Sequence, residues 1–172
     1  SNKNTDVNLT VIRKLGKSKE KSALTIAVKN RFVECVKLLV MHPKIDINKR
    51  LNYYKLPNNF LYKEKVPLFM AVKKGFIEIV EILLSNKKID VNIKINNQNE
   101  GEQTPLSIAV INRNYDSIKL LLSASNTINV NEKLYDDKRN MRTPMSLAIA
   151  DNNKEIIMLL LKYQAKISGN KV

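Results

Sequence analysis

Apolar residues along the chain recur with the spacing of helices that bury one face. In one stretch Ile79, Ile82 and Leu83 follow the i, i+3, i+4 rule, and Glu78 opens the stretch. Three further stretches have the same form and open at Glu34, Asp116 and Glu155. The pattern predicts four amphipathic helices. Their carboxylates recur one per unit at the helix start, which favours dipole complementarity over paired acid–base catalysis.

A shorter apolar phrase precedes each of these helices. Its four copies begin at Ser22, Val66, Thr104 and Thr143. Thr suits a helix N-cap, and Pro suits the first helical position, as at Pro105. Each copy contains a small alanine that lets a neighbouring helix approach closely: Ala27, Ala71, Ala109 and Ala148. The phrase therefore predicts a first helix in each unit.

A polar break separates the two helices of each unit. The breaks lie at 29–31, 73–75, 112–114 and 151–153. Gly and Asn tolerate the left-handed backbone that such a turn needs, whereas Arg31 and Arg113 fit it less well. Units that return about every 40 residues predict stacked helix–turn–helix modules that share one continuous core.

These phrases resemble the ankyrin repeat family, with its Thr-Pro-Leu-His-x-Ala-Ala, Gly-His and Asp-Val-Asn motifs. Residues 104–106, Gly75 and residues 90–92 match directly. The family's His is replaced in all four copies, by Thr25, Phe69, Ser107 and Ser146. Its usual hydrogen bond across the turn is therefore expected to be weakened or replaced. The resemblance implies an all-α solenoid with extended hairpin-like loops.

The register of the copies divides a single ankyrin-repeat domain of residues 1–172. We expect the tail of a preceding repeat and a loop at 1–21, then repeats at 22–65, 66–103, 104–142 and 143–172. Residues 1–8 nearly repeat residues 85–92, so the chain is expected to be a fragment of a longer array, or an array with an incomplete first repeat. Ser1-Asn2 is alternatively part of an expression scar. Met158 occupies a position that is polar in the other second helices, which predicts exposed apolar surface at one or both ends.

The segments that link the repeats are longer than the family's short turns, and the longest is residues 49–65. It contains Tyr53, Tyr54, Phe60 and Tyr62, and a central Pro57-Asn58-Asn59 turn signal, so it is predicted to be an extended hairpin finger. The rings either pack on neighbouring fingers and first helices or form a contact surface, and the two interpretations carry similar weight.

The resemblance also implies which positions vary to contact a partner. They follow the small residue of each first helix: Lys29 and Asn30, Lys73 and Lys74, Ile111 and Asn112, and Ala150 and Asp151. The first two pairs are basic or polar and the last is acidic. A partner is therefore expected to meet a charge gradient along the groove.

The chain carries a net charge of +14, and residues 1–50 hold 12 basic against 4 acidic side chains. This balance indicates either an acidic partner or simple solvation of a composition rich in Lys, Asn and Ile. The sequence predicts a protein–protein interaction scaffold. The alternatives are nucleic-acid or anionic-surface binding through the Lys-rich first half, and a structural spacer in a long array. Association between copies is expected only through uncapped repeat ends.

No catalytic, metal-binding or cofactor-binding pattern is present in the sequence, so the protein is expected not to be an enzyme and to need no cofactor. Cys35 falls on the apolar side of a second helix and is predicted to be buried. His42 lies in a loop without further ligands, and Asp136-Asp137 is predicted to be a solvated turn. One cysteine and no signal-like segment favour a reduced intracellular location, the cytoplasm.

Overall fold

The computed structural model describes residues 6–14, 18–55, 61–97, 100–124 and 127–169, with the backbone alone for 12–14, 18–20, 53–55, 61–63, 97 and 165–169. Within these residues eight helices form four consecutive pairs, and each pair is preceded by a strand hairpin. The helices are α1 (Ala23–Lys29), α2 (Val33–Met41), α3 (Pro67–Lys74), α4 (Ile77–Leu84), α5 (Pro105–Ile111), α6 (Tyr115–Ala124), α7 (Pro144–Ala150) and α8 (Lys154–Gly169). The strands are β1 (Thr10–Lys14), β2 (Ser18–Ser22), β3 (Leu51–Lys55), β4 (Leu61–Lys65), β5 (Ile95–Asn97), β6 (Gly101–Gln103), β7 (Leu134–Tyr135) and β8 (Met141–Arg142).

Three of the first helices begin with a reciprocal capping box. At α5 the N–H of Ser107 donates to Thr104 Oγ1 at 3.2 Å, and the N–H of Thr104 donates to Ser107 Oγ at 2.8 Å. The starts of α1 and α7 are built in the same way. The hydroxyls that stand at the family's His position therefore replace its hydrogen bond. Helix α3 differs, because Val66 caps it without a side-chain bond.

The turn inside each helix pair contains one residue with left-handed backbone, as predicted. The residues are Arg31 (φ 57°), Gly75 (φ 68°), Arg113 (φ 52°) and Asn152 (φ 51°). The residue directly after the left-handed one donates its backbone N–H to the carbonyl of the anchor alanine, as in Phe32 N–H to Ala27 O at 2.9 Å. The carbonyls of the other three anchor alanines accept equivalent bonds. This closure offsets the cost of placing an arginine in the left-handed region.

The core lies between two rows of helices. First helices pack on first helices and second helices on second helices along the stack. Ala71 and Ala109 are fully buried where the first helices meet, which is the close approach expected of a small residue. On α4, Ile79 and Leu83 are buried and Ile82 is half-buried, so the predicted apolar face is confirmed.

The prediction for Cys35 is wrong, because this thiol is exposed. On α2 the buried positions are Val36 and Val40, which face the core. Cys35 lies instead beside Phe32 and Leu38 on the side of α2 that faces away from the next repeat. An apolar helical pattern identifies residues that are suited to packing. A residue such as Cys35 is buried only if another element of the fold packs against its side of the helix.

An asparagine at the end of each Asp-Val-Asn-like phrase joins one repeat to the next. The side-chain amide of Asn48 donates to Lys88 O at 2.7 Å, and Asn48 Oδ1 accepts the backbone N–H of Asp90 at 2.9 Å. Asn8 and Asn92 make the same two bonds to the phrase of the following repeat. We call Asn8, Asn48 and Asn92 the asparagine clamps.

The corresponding residue of the next repeat, Asn131, has a different partner. Its Oδ1 accepts a bond of 3.1 Å from Nε2 of Gln164. Gln164 lies on α8, which is 16 residues long and ends at Gly169, whereas α4 and α6 have only 8 and 10 residues. A side-chain amide thus occupies the place that a backbone N–H takes at the other clamps.

The hairpins are the predicted fingers, and they join edge to edge. Strands β1 to β6 form one six-stranded antiparallel sheet in chain order, and β7 and β8 form a separate pair. The longest finger pairs Leu51 with Lys65 and Tyr54 with Tyr62, which confirms the extended hairpin. The predicted turn at Pro57-Asn58-Asn59 lies outside the described residues. The repeats are thus a helical solenoid with a sheet of fingers along one side.

Side chains also bind neighbouring fingers together. Glu64 Oε2 accepts the backbone N–H of Asn96 at 2.8 Å, and Glu102 Oε2 accepts that of Tyr135 at 3.2 Å. Arg50 Nη1 donates to the backbone oxygen of Lys94 at 2.8 Å. The pKa of Lys94 is raised, chiefly by its hydrogen bond to Glu132, which lies 2.8 Å away. These bonds hold successive fingers in one register.

Removing one clamp should weaken the junction between two repeats. Asn48→Ala deletes two hydrogen bonds to backbone groups, so we expect it to lower the free energy of unfolding by about 1–3 kcal/mol. Urea unfolding followed by circular dichroism measures the change. Asn96→Ala is the matched control, because Asn96 is an exposed finger residue that bonds through its backbone. Equal losses in the two variants would show that the clamp adds no specific stability.

Gly101 should tolerate no side chain. Its φ is +71°, and a Cβ there would lie 2.6 Å from the Cα of Asp136 in the next finger. We expect Gly101→Ala to cost about 3–4 kcal/mol, from strain and from separation of the fingers. Gly75→Ala has a similar φ but a nearest contact of 3.5 Å, so it should cost only about 1 kcal/mol. Thermal unfolding of both variants tests the difference, and similar melting temperatures would contradict it.

Candidate interaction surface

The eight positions that sequence reasoning selected on the helices lie where the first helices end. Each pair occupies the last turn or the cap of its helix, and all eight side chains are exposed: Lys29, Asn30, Lys73, Lys74, Ile111, Asn112, Ala150 and Asp151. The stacking of α1, α3, α5 and α7 places the pairs in one row along the solenoid. The row is therefore accessible to a large ligand.

Hydrogen bonds between repeats hold part of this row in place. The side-chain amide of Asn112 donates to the backbone oxygen of Lys73 at 3.2 Å. Further along, Arg113 donates to both carboxylate oxygens of Asp151, at 2.9 and 2.7 Å. The hydrogen bond to Arg113 lowers the pKa of Asp151. Asp151, the acidic residue at the end of the expected charge gradient, is thus paired with Arg113 of the preceding repeat.

A groove opens between the finger strand β4 and the first helices α1 and α3. We call it the lysine groove; its volume is about 240 Å³, and it is lined by Lys29, Glu64, Lys65, Phe69, Met70, Lys73 and Lys74. A smaller hollow of about 60 Å³ extends it past Met70 toward Lys21 and Asn30. Phe69 is only 3% exposed and Met70 is half-buried, so the floor is apolar while the rim is basic.

The charges around the lysine groove are unequally compensated. Lys73 Nζ lies 2.9 Å from Glu100 Oε2 and 5.9 Å from the Phe69 ring. Lys74 lies 5.4 Å from the ring of Phe76, with a cation–π geometry. Glu64 is engaged by Arg50 at 3.4 Å and by a backbone N–H of the next finger. In the described part of the chain, no carboxylate lies within salt-bridge distance of Lys29.

The aromatic finger is described only in part. Tyr53 and Tyr54 lie on β3 and Tyr62 lies on β4, all with the backbone alone described. Phe60 lies outside the described residues. The strand pairing brings Tyr54 opposite Tyr62 across the hairpin. The strand pairing confirms the hairpin form of the finger. Whether its aromatic rings pack on neighbouring elements or form a contact surface stays a prediction with two alternatives.

The other candidate groups have structural partners. Asp136 accepts the backbone N–H groups of Lys138 and Asn140, and its hydrogen bond to the Asn140 side chain lowers its pKa. This is the solvated turn that the sequence predicted. The backbone N–H of Lys44 donates to Nδ1 of His42. Across the described residues, no three metal-ligating side chains lie close enough together to hold an ion, and no helix is long and apolar enough to cross a membrane.

Both ends of the stack expose apolar side chains. At the first repeat Leu38 is 72% and Met41 80% exposed, and Phe32, which lies beside Leu38, is exposed as well. At the last repeat Ile149 and Met158 are 60% and 65% exposed. The apolar end surface predicted from Met158 is therefore present, and it extends to the first repeat as well.

Sequence reasoning did not identify the bonds between turns. Asn114 and Asn153 cap their second helices through Oδ1, and Tyr115 bonds to Asn153 across the repeats. The recurrence of Asn at these two positions was a usable signal for the caps. The pairing of Arg113 with Asp151 had no such signal, because the two residues occupy different positions in their repeats.

The ion pair of Arg113 and Asp151 should give the last junction a pH dependence. Because the pKa of Asp151 is lowered on folding, its stabilisation is fully present above the ordinary value of 3.8 and is lost as pH falls through the lower folded value. We expect Asp151→Asn to lower the urea midpoint slightly at about pH 6 and to approach the wild type as the pH falls well below 3.8. Asp137→Asn, at an exposed turn residue, is the control. A difference that persists at the acid end would exclude the ion pair as its cause.

Comparison with known protein families gives two matches in the region just described. A model for the ankyrin repeat matches residues 19–52, and a model for ankyrin repeats in three copies matches residues 49–133. The search of curated proteins found no match. The matched residues run from β2 to the segment before β7, through three of the four helix pairs. Because the two models together cover more than half of the chain, and the helix pairs have the expected form, the chain belongs to the ankyrin repeat family.

Proposed function

We propose that the chain is a non-enzymatic scaffold that binds another protein through the row of first-helix ends and the fingers beside it. Ankyrin repeats are generally protein–protein interaction modules, and proteins built from them typically lack enzymatic activity. A rigid stack of repeats offers many modest contacts without a cost of reorganisation. In this proposal the binding units are the repeats at 22–65, 66–103, 104–142 and 143–172.

The observation that carries the proposal is the exposed row itself. Residues at the ends of four successive first helices share one surface, and bonds such as Asn112 to Lys73 fix their spacing. A surface held in register by backbone contacts is preorganised for a partner. The proposed contacts on the helices are the four pairs named above.

The fingers form the other side of the proposed surface. Their edge-to-edge sheet places β4 against the lysine groove, since Glu64 and Lys65 line it. We include Tyr53, Tyr54, Phe60 and Tyr62 among the proposed contacts, because tyrosine contributes large area at interfaces for little loss of conformational entropy. Lys29 and Lys74 favour a partner that is acidic where it meets the first two repeats.

Reversing charge on the row should separate binding from folding. We expect the triple variant Lys29→Glu, Lys73→Glu, Lys74→Glu to lose most of the partner that the wild-type chain captures from a lysate of its source organism. Each exposed pair is worth about 0.2–1 kcal/mol, so three lost attractions reduce affinity by about three-fold to a hundred-fold, and the introduced repulsion adds to that loss. Quantitative mass spectrometry of the captured proteins measures the loss.

The matched control is Lys119→Glu, Lys154→Glu, Lys162→Glu, which changes the net charge equally on exposed positions of second helices. We expect it to retain the captured proteins. Equal loss in both triple variants would show that the charge acts only through solvation and non-specific attraction. Capture that disappears after nuclease treatment would instead support the nucleic-acid alternative.

A further inference from the structure

We infer that the lysine groove binds an acidic peptide segment that carries one apolar side chain, which sits on Met70, above the buried ring of Phe69, between flanking carboxylates. The inference rests on the proposed function and specifies the chemistry of its partner.

Repeat 2 departs from the others at the position that forms the groove floor. The first helices of the other repeats have a hydroxyl there, at Thr25, Ser107 and Ser146, and each hydroxyl completes a capping box. Phe69 makes no such bond, and α3 begins without a side-chain cap. A lost N-cap costs about 1 kcal/mol. Places where a sequence breaks a local rule are expected to be functional or strained sites.

The size of the groove suits one side chain. Its volume of about 240 Å³ exceeds the cavity of about 150 Å³ that admits benzene in an engineered protein core. Half-buried Met70 supplies the accessible apolar surface of its floor, above the buried ring of Phe69, and a methionine adapts to side chains of different shape. A leucine or phenylalanine side chain therefore fits the floor, and burial there supplies the hydrophobic part of the affinity.

The rim selects the charge of the flanking residues. Among the described residues four lysines line the groove against one lining carboxylate, that of Glu64, and one of the four, Lys73, is paired with Glu100. Arg50 and the backbone N–H of Asn96 already engage the Glu64 carboxylate. An acidic segment finds complementary charge on both sides of its apolar residue, whereas a basic segment is repelled.

The same geometry favours a peptide over a nucleic acid. Single-stranded nucleic acids bind by stacking bases on exposed aromatic faces. Phe69 is 3% exposed, and Lys73 lies over its ring at 5.9 Å, so its face is not open to a base. The apolar floor is suited to one apolar side chain of a peptide that enters the groove from its open, solvent-facing side.

Methionine methyl NMR tests the inference directly. Of the five methionines, Met70 alone lines the groove, while Met158 is exposed on α8 and serves as the internal control. The probes are acetylated, amidated peptides Glu-Glu-Leu-Glu-Glu, Glu-Glu-Gly-Glu-Glu and Lys-Lys-Leu-Lys-Lys, and a single-stranded oligothymidylate. Met70→Leu assigns the signal. We expect the first peptide to shift the Met70 methyl in a saturable manner, with no shift at Met158 and weak or no response to the other probes.

Variants connect the shift to the rim. Lys29→Gln with Lys74→Gln should weaken binding of Glu-Glu-Leu-Glu-Glu about three- to ten-fold, and Lys154→Gln with Lys162→Gln should leave it unchanged. Absence of a saturable Met70 shift, an equal response to the glycine peptide, or a Met70 response to the oligonucleotide alone would overturn the inference. Loss of partner capture in the charge-reversed triple variant would still stand in that case, so the two proposals fail separately.

Discussion

The asparagine clamp fixes where each repeat sits on the next. The side-chain amide of Asn48 donates to the carbonyl of Lys88 and accepts the N–H of Asp90, two residues further along. Because both bonds form only at one position and orientation of that segment, they fix the register of the next repeat. Sliding the repeat would leave both backbone groups without a protein partner. With that register set, the anchor alanines meet closely and the fingers lie near enough to pair.

Regularity in the repeats makes their exceptions informative. Three first helices begin with a capping box. In α3 the two capping-box positions hold Val66 and Phe69, which cannot form its side-chain bonds. The helix forms regardless, because Pro67 restricts the backbone of its first turn and its apolar face is buried in the stack. The lost cap is thus tolerated by packing, and it places an aromatic side chain at the floor of the lysine groove.

The positive surface arises from how the carboxylates are used. Glu64 and Glu102 bind backbone groups of neighbouring fingers, and Asp151 binds Arg113. Because these carboxylates form bonds that hold the repeats together, their negative charge is already paired within the solenoid. Lys29 and Lys74, at the ends of α1 and α3, have no ion-pair partner among the described residues and lie beside an apolar floor, which gives this part of the surface its positive character.

The sequence by itself determined the helix pairs, their left-handed turns and the hairpin form of the fingers, because capping, periodicity and turn residues act over a few neighbouring positions. Even Arg31 takes the left-handed conformation that its place in the repeat requires. Tertiary structure alone decided the exposure of Cys35, the partners of Asn48 and the pairing of Arg113 with Asp151. Each of these depends on which surface a neighbouring repeat covers, and residues about 40 positions apart meet only after the stack has formed.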